Sequence, residues 1–94
     1  MEETKMKWET ITTMEQLEMN GCSTQGAVLK YGERVLVCGL TCRGFEAAVY
    51  EFIEDEAETG LSYIECRLNL RTTSPKPFDD GGDAMKWCFE HLDD

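Results

Sequence analysis

The sequence offers little that a membrane, a metal ion or a nucleic acid would need. No stretch approaches the ~18 consecutive apolar residues of a membrane span, and no basic flank followed by an apolar run opens the chain. Positive charge is scarce: nine Lys and Arg stand against 19 Asp and Glu, a net charge of −10. Contacts to DNA, RNA or an anionic lipid surface rest on Lys and Arg displacing counterions, so direct binding to any of them is disfavoured. There is one histidine, His91, and the two prolines are Pro75 and Pro77. The five cysteines are an odd number without an export signal, which points to reduced thiols and a cytoplasmic protein. Ninety-four residues exclude a multidomain enzyme, and with 41% apolar residues the whole chain, 1–94, reads as one soluble domain.

The charge is unevenly distributed. Residues 1–45 hold six acids and five bases, 5 − 6 = −1, whereas residues 46–94 hold 13 acids and four bases, 4 − 13 = −9. Two blocks account for most of it. The first is Glu46, Glu51, Glu54, Asp55, Glu56 and Glu58 with no base between them; the second is Asp79, Asp80, Asp83, Glu90, Asp93 and Asp94 against Lys86. Like charges at this density weaken a fold by self-repulsion, and a focused negative potential speeds encounter with a cationic partner.

Local patterns give an α+β fold: an antiparallel meander of three to four strands, a short N-terminal helix, and a C-terminal helix packed on one face. Thr12 with Glu15 three residues on fits a capping box for a helix over Thr12–Asn20, with Leu17 inward and Gly21 as its stop. Before it, Lys5–Ile11 reads as extended. Ala27–Tyr31 and Glu33–Thr41 flank Gly32 as strands, and the apolar run Val35–Cys38 suggests burial. Phe45–Glu58 carries a helical apolar stripe, but acids at its end oppose a helix dipole, which favours a strand over Phe45–Glu54. A turn through Ala57–Gly60 then leads into Leu61–Arg71. There Ser62, Ile64, Cys66, Leu68 and Leu70 alternate with Tyr63, Glu65, Arg67 and Asn69, so the sheet should keep one wet face. Thr72–Pro77 breaks the pattern, and Asp80 caps a last helix with Asp83 in its first turn and Ala84, Met85, Cys88 and Leu92 inward. At 100° per residue, Trp87 lies about 130° from that stripe and Phe89 about 70° from it, which takes Trp87 off the core.

No motif for catalysis or a cofactor emerges. Cys38, Cys42, Cys88 and His91 match no zinc-site spacing and read as small buried hydrophobes where the core patterns claim them. A Cys–His nucleophile pair lacks an orienting third group. The span Gly39–Gly44 has the outer glycines of a phosphate loop but is followed by Phe45 and Glu46 instead of Lys and Ser or Thr, so a hairpin turn explains it better. Asp79, Gly81, Asp83 and Glu90 match parts of a calcium loop, yet Ala84 occupies its glycine position.

In element order alone, the chain resembles the double-stranded RNA-binding domain; Asp79, Asp80 and Asp83 stand where that domain needs bases, so RNA binding does not carry over. In size, acidity and lack of catalytic motifs it resembles phage-encoded antagonists of bacterial defence, such as anti-CRISPR and anti-restriction proteins, which would place it in a host-cell cytoplasm. No shared motif accompanies that likeness, and no residue role transfers. The expectation is a non-enzymatic protein-binding module or inhibitor that needs no cofactor or metal and covers a basic surface of a partner, of the kind that binds nucleic acid. The contact residues would be Glu51, Glu54, Asp55, Glu56, Glu58, Asp79, Asp80, Asp83, Trp87 and Glu90, with Tyr50, Tyr63 and Trp8 as further aromatic anchors. The alternatives are an oligomeric small-molecule or nucleotide-sequestering protein using Arg34, Arg43, Arg67 or Arg71, and a structural accessory subunit.

Overall fold

Val35, Leu36, Val37 and Cys38 are consecutive and all buried, as are Ala47, Ala48, Val49 and Tyr50. Successive side chains of a strand point to opposite faces, so two such runs side by side require cover on both sides. The computed structural model, which describes residues 8–23, 25–56 and 64–93, provides it. A four-stranded antiparallel sheet runs in the order β1 (Ala27–Tyr31), β2 (Arg34–Thr41), β3 (Gly44–Glu56) and β4 (Ile64–Thr73). Helix α1 (Met14–Ser23) and a 3-10 turn at Trp8–Thr10 cover one face, where Trp8, Ile11 and Leu17 pack on Val35, Val37, Ala48, Tyr50 and Leu68. Helix α2 (Gly81–Glu90) covers the other, with Ala84 and Cys88 on Leu36, Cys38, Ala47 and Val49.

The α+β meander therefore stands, with the two helices on opposite faces. The expected wet face is covered over β2 and β3, because their eight central residues are apolar on both sides. Exposed polar side chains remain on the α2 side of β4, where Arg67 and Asn69 are exposed while Leu68 and Leu70 turn inward. Of the remaining residues assigned to that alternation, 61–63 and the side chains of 64–66 lie outside the described residues. So does the expected turn at 57–60.

Three local expectations need correction. Lys5–Ile11 is not extended where described: Ile11 N–H bonds back to the Trp8 carbonyl at 3.1 Å, which buries the indole, and Tyr50 Oη donates to the same carbonyl from the core. Residues 5–7 lie outside the described residues. The cap of α1 is one residue later than expected. Thr13 Oγ1 accepts from Gln16 N–H at 3.2 Å and Gln16 Oε1 accepts from Thr12 N–H at 2.9 Å, while the Thr12 carbonyl is held by Leu68 N–H at 2.7 Å on the outer edge of β4. That edge bond keeps Thr12 out of the helix. Gly21 does not stop α1, which runs on to Ser23; its missing side chain lets Val28 approach, since a Cβ there would lie 3.3 Å from Val28 Cγ2.

Chain reversal between α1 and β1 instead uses Gln25, at φ 55°, and Gly26. A Cβ on Gly26 would fall 1.8 Å from the Cys38 carbonyl oxygen, so only glycine allows β1 to enter its register against β2. The second tight position is Gly44, at φ 128°, closing the Thr41–Gly44 hairpin turn expected for the glycines at 39 and 44. Its neighbour Phe45 exchanges backbone hydrogen bonds of 2.9 and 2.8 Å with Phe78, which seats the segment before α2 against β3.

Gly26→Ala should cost more than about 2 kcal/mol, because the clash is with backbone that cannot rotate away. Gly32→Ala, at φ 61° in open space, should cost only about 1 kcal/mol. Chemical denaturation of the two variants, run in parallel, checks the difference.

Candidate functional site

Helix α2 begins where the sequence places it. Asp80 is the N-cap, and its Oδ1 accepts from Asp83 N–H at 2.8 Å. The helix buries Ala84 and Cys88, half-buries Met85 and Trp87, and leaves Gly82, Asp83, Lys86, Phe89 and Glu90 exposed. With Asp79 and Asp80 before it and Asp93 after it, its outer face is a ridge of five carboxylates and one ammonium. Asp83 and Glu90 stand about 10 Å apart along the axis. The two ends differ energetically. Asp79, Asp80 and Asp83 meet the positive end of the helix dipole and are stabilised by it; Glu90 and Asp93 meet the negative end, where the last turn carries no base.

The first acidic block contributes less to this surface. Glu51 faces two guanidiniums, Arg34 at 3.8 Å and Arg71 at 4.0 Å, so its charge is spent within the molecule. Glu54, Asp55 and Glu56 end β3, with side chains outside the described residues, and Glu58 lies outside them altogether. The structure thus places Asp83 and Glu90 on one helix, with Asp80 as its cap and Asp79 just before it, and places Glu51 on the sheet.

Trp87 is not off the core. It packs with Phe45, Phe78, Met85 and Leu92 against the α2-side cluster and stacks on His91, ring centroids 4.3 Å apart and planes at 22°. Phe89, two residues on, is the exposed ring, at 44%. The pair is reversed from the sequence reading because α2 lies over β2 and β3. Its Trp87 side meets the Phe45–Phe78 wall, while its Phe89 side meets only β1, where Phe89 forms an edge-to-face contact with Tyr31 at 5.8 Å. Trp8 and Tyr50, expected as anchors, are core residues. Tyr63 lies outside the described residues.

Three of the four arginines, Arg34, Arg67 and Arg71, share the α2-side face of the sheet with Glu51 and Asn69. Arg34 Nε also donates to the Leu92 carbonyl at 2.9 Å, fastening the end of α2 to the sheet. Pattern reading missed Glu46: it is 6% exposed on the α1 side of β3, and its Oε2 has no hydrogen-bond partner among the described residues. An unsatisfied buried carboxylate oxygen costs stability. Its position among alternating apolar residues, opposite Gly39, was the available signal.

Cys38 and Cys88, set aside as zinc ligands, share the buried α2-side core. Cys42 sits in the exposed hairpin turn, four residues along from Cys38, and no group of three or more His, Cys, Asp or Glu that would hold a metal occurs among the described residues. Cys88 is buried, with Sγ 3.5 Å from the Ala48 carbonyl and 3.7 Å from that of Val37. No described helix is long and apolar enough to cross a membrane.

Fold and surface together define a small two-faced α+β sheet protein with an acidic helix on its outside. The chain belongs to the family described as nucleotide modification associated domain 4, which it matches over residues 8–92. Comparison with curated proteins and with solved structures gives no match.

Burial pushes the Cys88 thiol up to about 11 from its ordinary 9.0, and it raises Cys38 and Tyr50 as well. Each group is held in its neutral form by the fold. Their contribution to stability should therefore be fully present below pH 9 and be lost as the pH rises through about 11. Thermal melts between pH 7 and 11 check this, and Cys88→Ala should lessen the alkaline loss.

Proposed function

We propose that this protein is a non-enzymatic protein-binding module that sets the acidic ridge of α2 against a basic, nucleic-acid-binding surface of a partner in a nucleotide-modification setting. An inhibitor of a modification or restriction enzyme, of the anti-defence kind, is the form this reading takes. The family supplies the setting. The observation that carries the reading is the placement of Glu90 and Asp93. Both are exposed at the helix end where carboxylates cost stability, on a ridge that already holds three acids and only Lys86 in return. Folding alone does not account for such a choice, whereas steering toward a cationic partner does.

The double variant Glu90→Gln, Asp93→Asn should gain about 0.3–1 kcal/mol in chemical denaturation. It should also associate several-fold more slowly, at low salt, with the partner captured by tagged wild-type protein from its native cells. An unchanged association rate, or a captured partner whose contact surface is itself acidic, would remove the ridge from the site.

One observation favours a second reading, a nucleotide-sequestering protein. Arg34, Arg67 and Arg71 share a sheet face with Asn69, and Arg34 is bonded to Leu92, next in sequence to His91 of the Trp87 stack. Guanidiniums suit phosphates and an indole suits a base. Native mass spectrometry after incubation with nucleoside mono- and triphosphates should then show stoichiometric retention that Arg71→Ala reduces; passage of the bare chain alone rejects this reading.

A further inference from the structure

The two outer edges of the sheet are treated differently. On β4 the Leu68 N–H is taken by the Thr12 carbonyl. On β1, no backbone hydrogen bond from another described segment reaches the outer side. The hairpin register settles which groups face outward. A two-residue turn at Gly32 and Glu33 makes Tyr31 and Arg34 a hydrogen-bonded pair, so Leu29 with Leu36 and Ala27 with Cys38 are hydrogen-bonded pairs too. Val28 and Lys30 therefore direct their N–H and C=O groups away from β2. The same alternation carried across the sheet sends Phe52 N–H to the Glu33 carbonyl and Leu68 N–H outward, and both are found.

Three of the five exposed large apolar side chains among the described residues stand at this edge. Leu29, Tyr31 and Phe89 are 42%, 57% and 44% exposed, and Leu29 and Tyr31 lie on the same face of β1 as α2. β1 carries one lysine and no acid in a chain of 19 acids, so charge does not repel a copy of itself here. Its five residues are self-complementary about Leu29. In antiparallel pairing Val28 stands opposite Lys30 of the copy and exchanges both backbone bonds with it, and the reciprocal pair does the same. Leu29 meets Leu29, and the large Tyr31 faces the small Ala27. All four outward groups of each copy are satisfied.

We infer that β1 pairs with β1 of a second copy of this chain, joining two four-stranded sheets into one of eight strands, with Leu29 on the two-fold axis. The three side chains expose roughly 300 Å² per copy, and with the strand itself the dimer buries on the order of 1,000 Å², the lower limit of a specific interface. It is therefore an assembly that dissociates on dilution. Because it brings two chains of charge −10 together, added salt strengthens it, whereas salt weakens binding of a basic partner by the α2 ridge. The two readings stand or fall separately.

Sedimentation equilibrium of the full chain should show a monomer–dimer equilibrium with a Kd in the micromolar range, roughly 1–100 µM, tightening between low and high salt. Lys30→Pro removes the outward N–H together with the side chain's contacts to the Gly32 carbonyl and the Phe52 ring, and leaves the backbone bonds to β2 in place, so it should be folded by circular dichroism and monomeric throughout. Lys30→Ala keeps the N–H and should dimerise like the wild type. Leu29→Lys, which sets two ammoniums on the axis, should also be monomeric and serves if the proline variant does not fold. A wild-type chain that stays monomeric at the highest concentration, or a dimer that persists in folded Lys30→Pro or in Leu29→Lys, overturns the assignment.

Discussion

The structure depends on burying both faces of two adjacent strands. Four consecutive apolar residues in β2 lie beside four in β3, and neither side of that block tolerates water. A sheet of four strands cannot close on itself to solve this, so each face needs its own helix. The N-terminal turn and α1 serve one, α2 the other. The long-range polar ties follow from the same need. Tyr50 reaches the Trp8 carbonyl across 42 positions of sequence, and Arg34 reaches the Leu92 carbonyl across 58, so each cover is tied to the sheet by a side-chain hydrogen bond near an end of the chain, in addition to the Thr12–Leu68 and Phe45–Phe78 backbone bonds.

Covering β2 and β3 from both sides fixes where charge can go. Over that block the only acids are Glu46, buried, and Glu51, paired with arginine; the other strand acids stand toward the far ends of β3 and β4, and helices and turns take the rest, with a dense set on the outer face of α2. At its first turn these carboxylates serve the helix, since Asp80 caps it and Asp83 meets the favourable end of the dipole. At its last turn they do not. The same residue type thus stabilises one end and strains the other, and only the strained end calls for an explanation outside the fold. Glu51 illustrates the opposite case: a carboxylate between two guanidiniums has an internal use, however prominent it looks in a charge count.

Much of the fold was legible because its signals are local. The Asp80 cap, the Gly32 turn and the inward set Ala84, Met85, Cys88 and Leu92 are written in neighbouring residues, and the dipole conflict correctly turned the ambiguous segment after Phe45 into a strand. What was not legible depended on distant partners. Thr12 was displaced from the cap by a bond to Leu68, fifty-six positions away (68 − 12 = 56). The helical wheel gave the directions of Trp87 and Phe89 from the stripe, but not that one flank of α2 meets a wall of Phe45 and Phe78 while the other meets an open edge. In the candidate site, the second acidic block was readable as one surface because one helix carries it; the first was not, because strand pairing decided that Glu51 would face Arg34.

The offset of α2 links these points. A helix of ten residues covers two strands, and the contacts of α2 fall on β2 and β3. β1 is left with backbone paired on one side and side chains exposed on both faces. Natural edge strands are usually blunted by charge, proline or a covering segment. Lys30 is the only charge on β1, and its ammonium is drawn back to the Gly32 carbonyl at 3.0 Å and over the Phe52 ring, away from the edge. Among the described residues, the edge is therefore neither covered by another segment nor guarded by an outward charge. The outer face of α2 carries the anionic ridge on which the proposed partner would dock, and beside it lies a strand whose single charge, Lys30, is drawn inward, where the proposed second copy would pair. The fold thus sets an electrostatic surface, on the outer face of α2, beside a hydrogen-bonding one, along β1, and the two adjoin at Phe89 and Glu90.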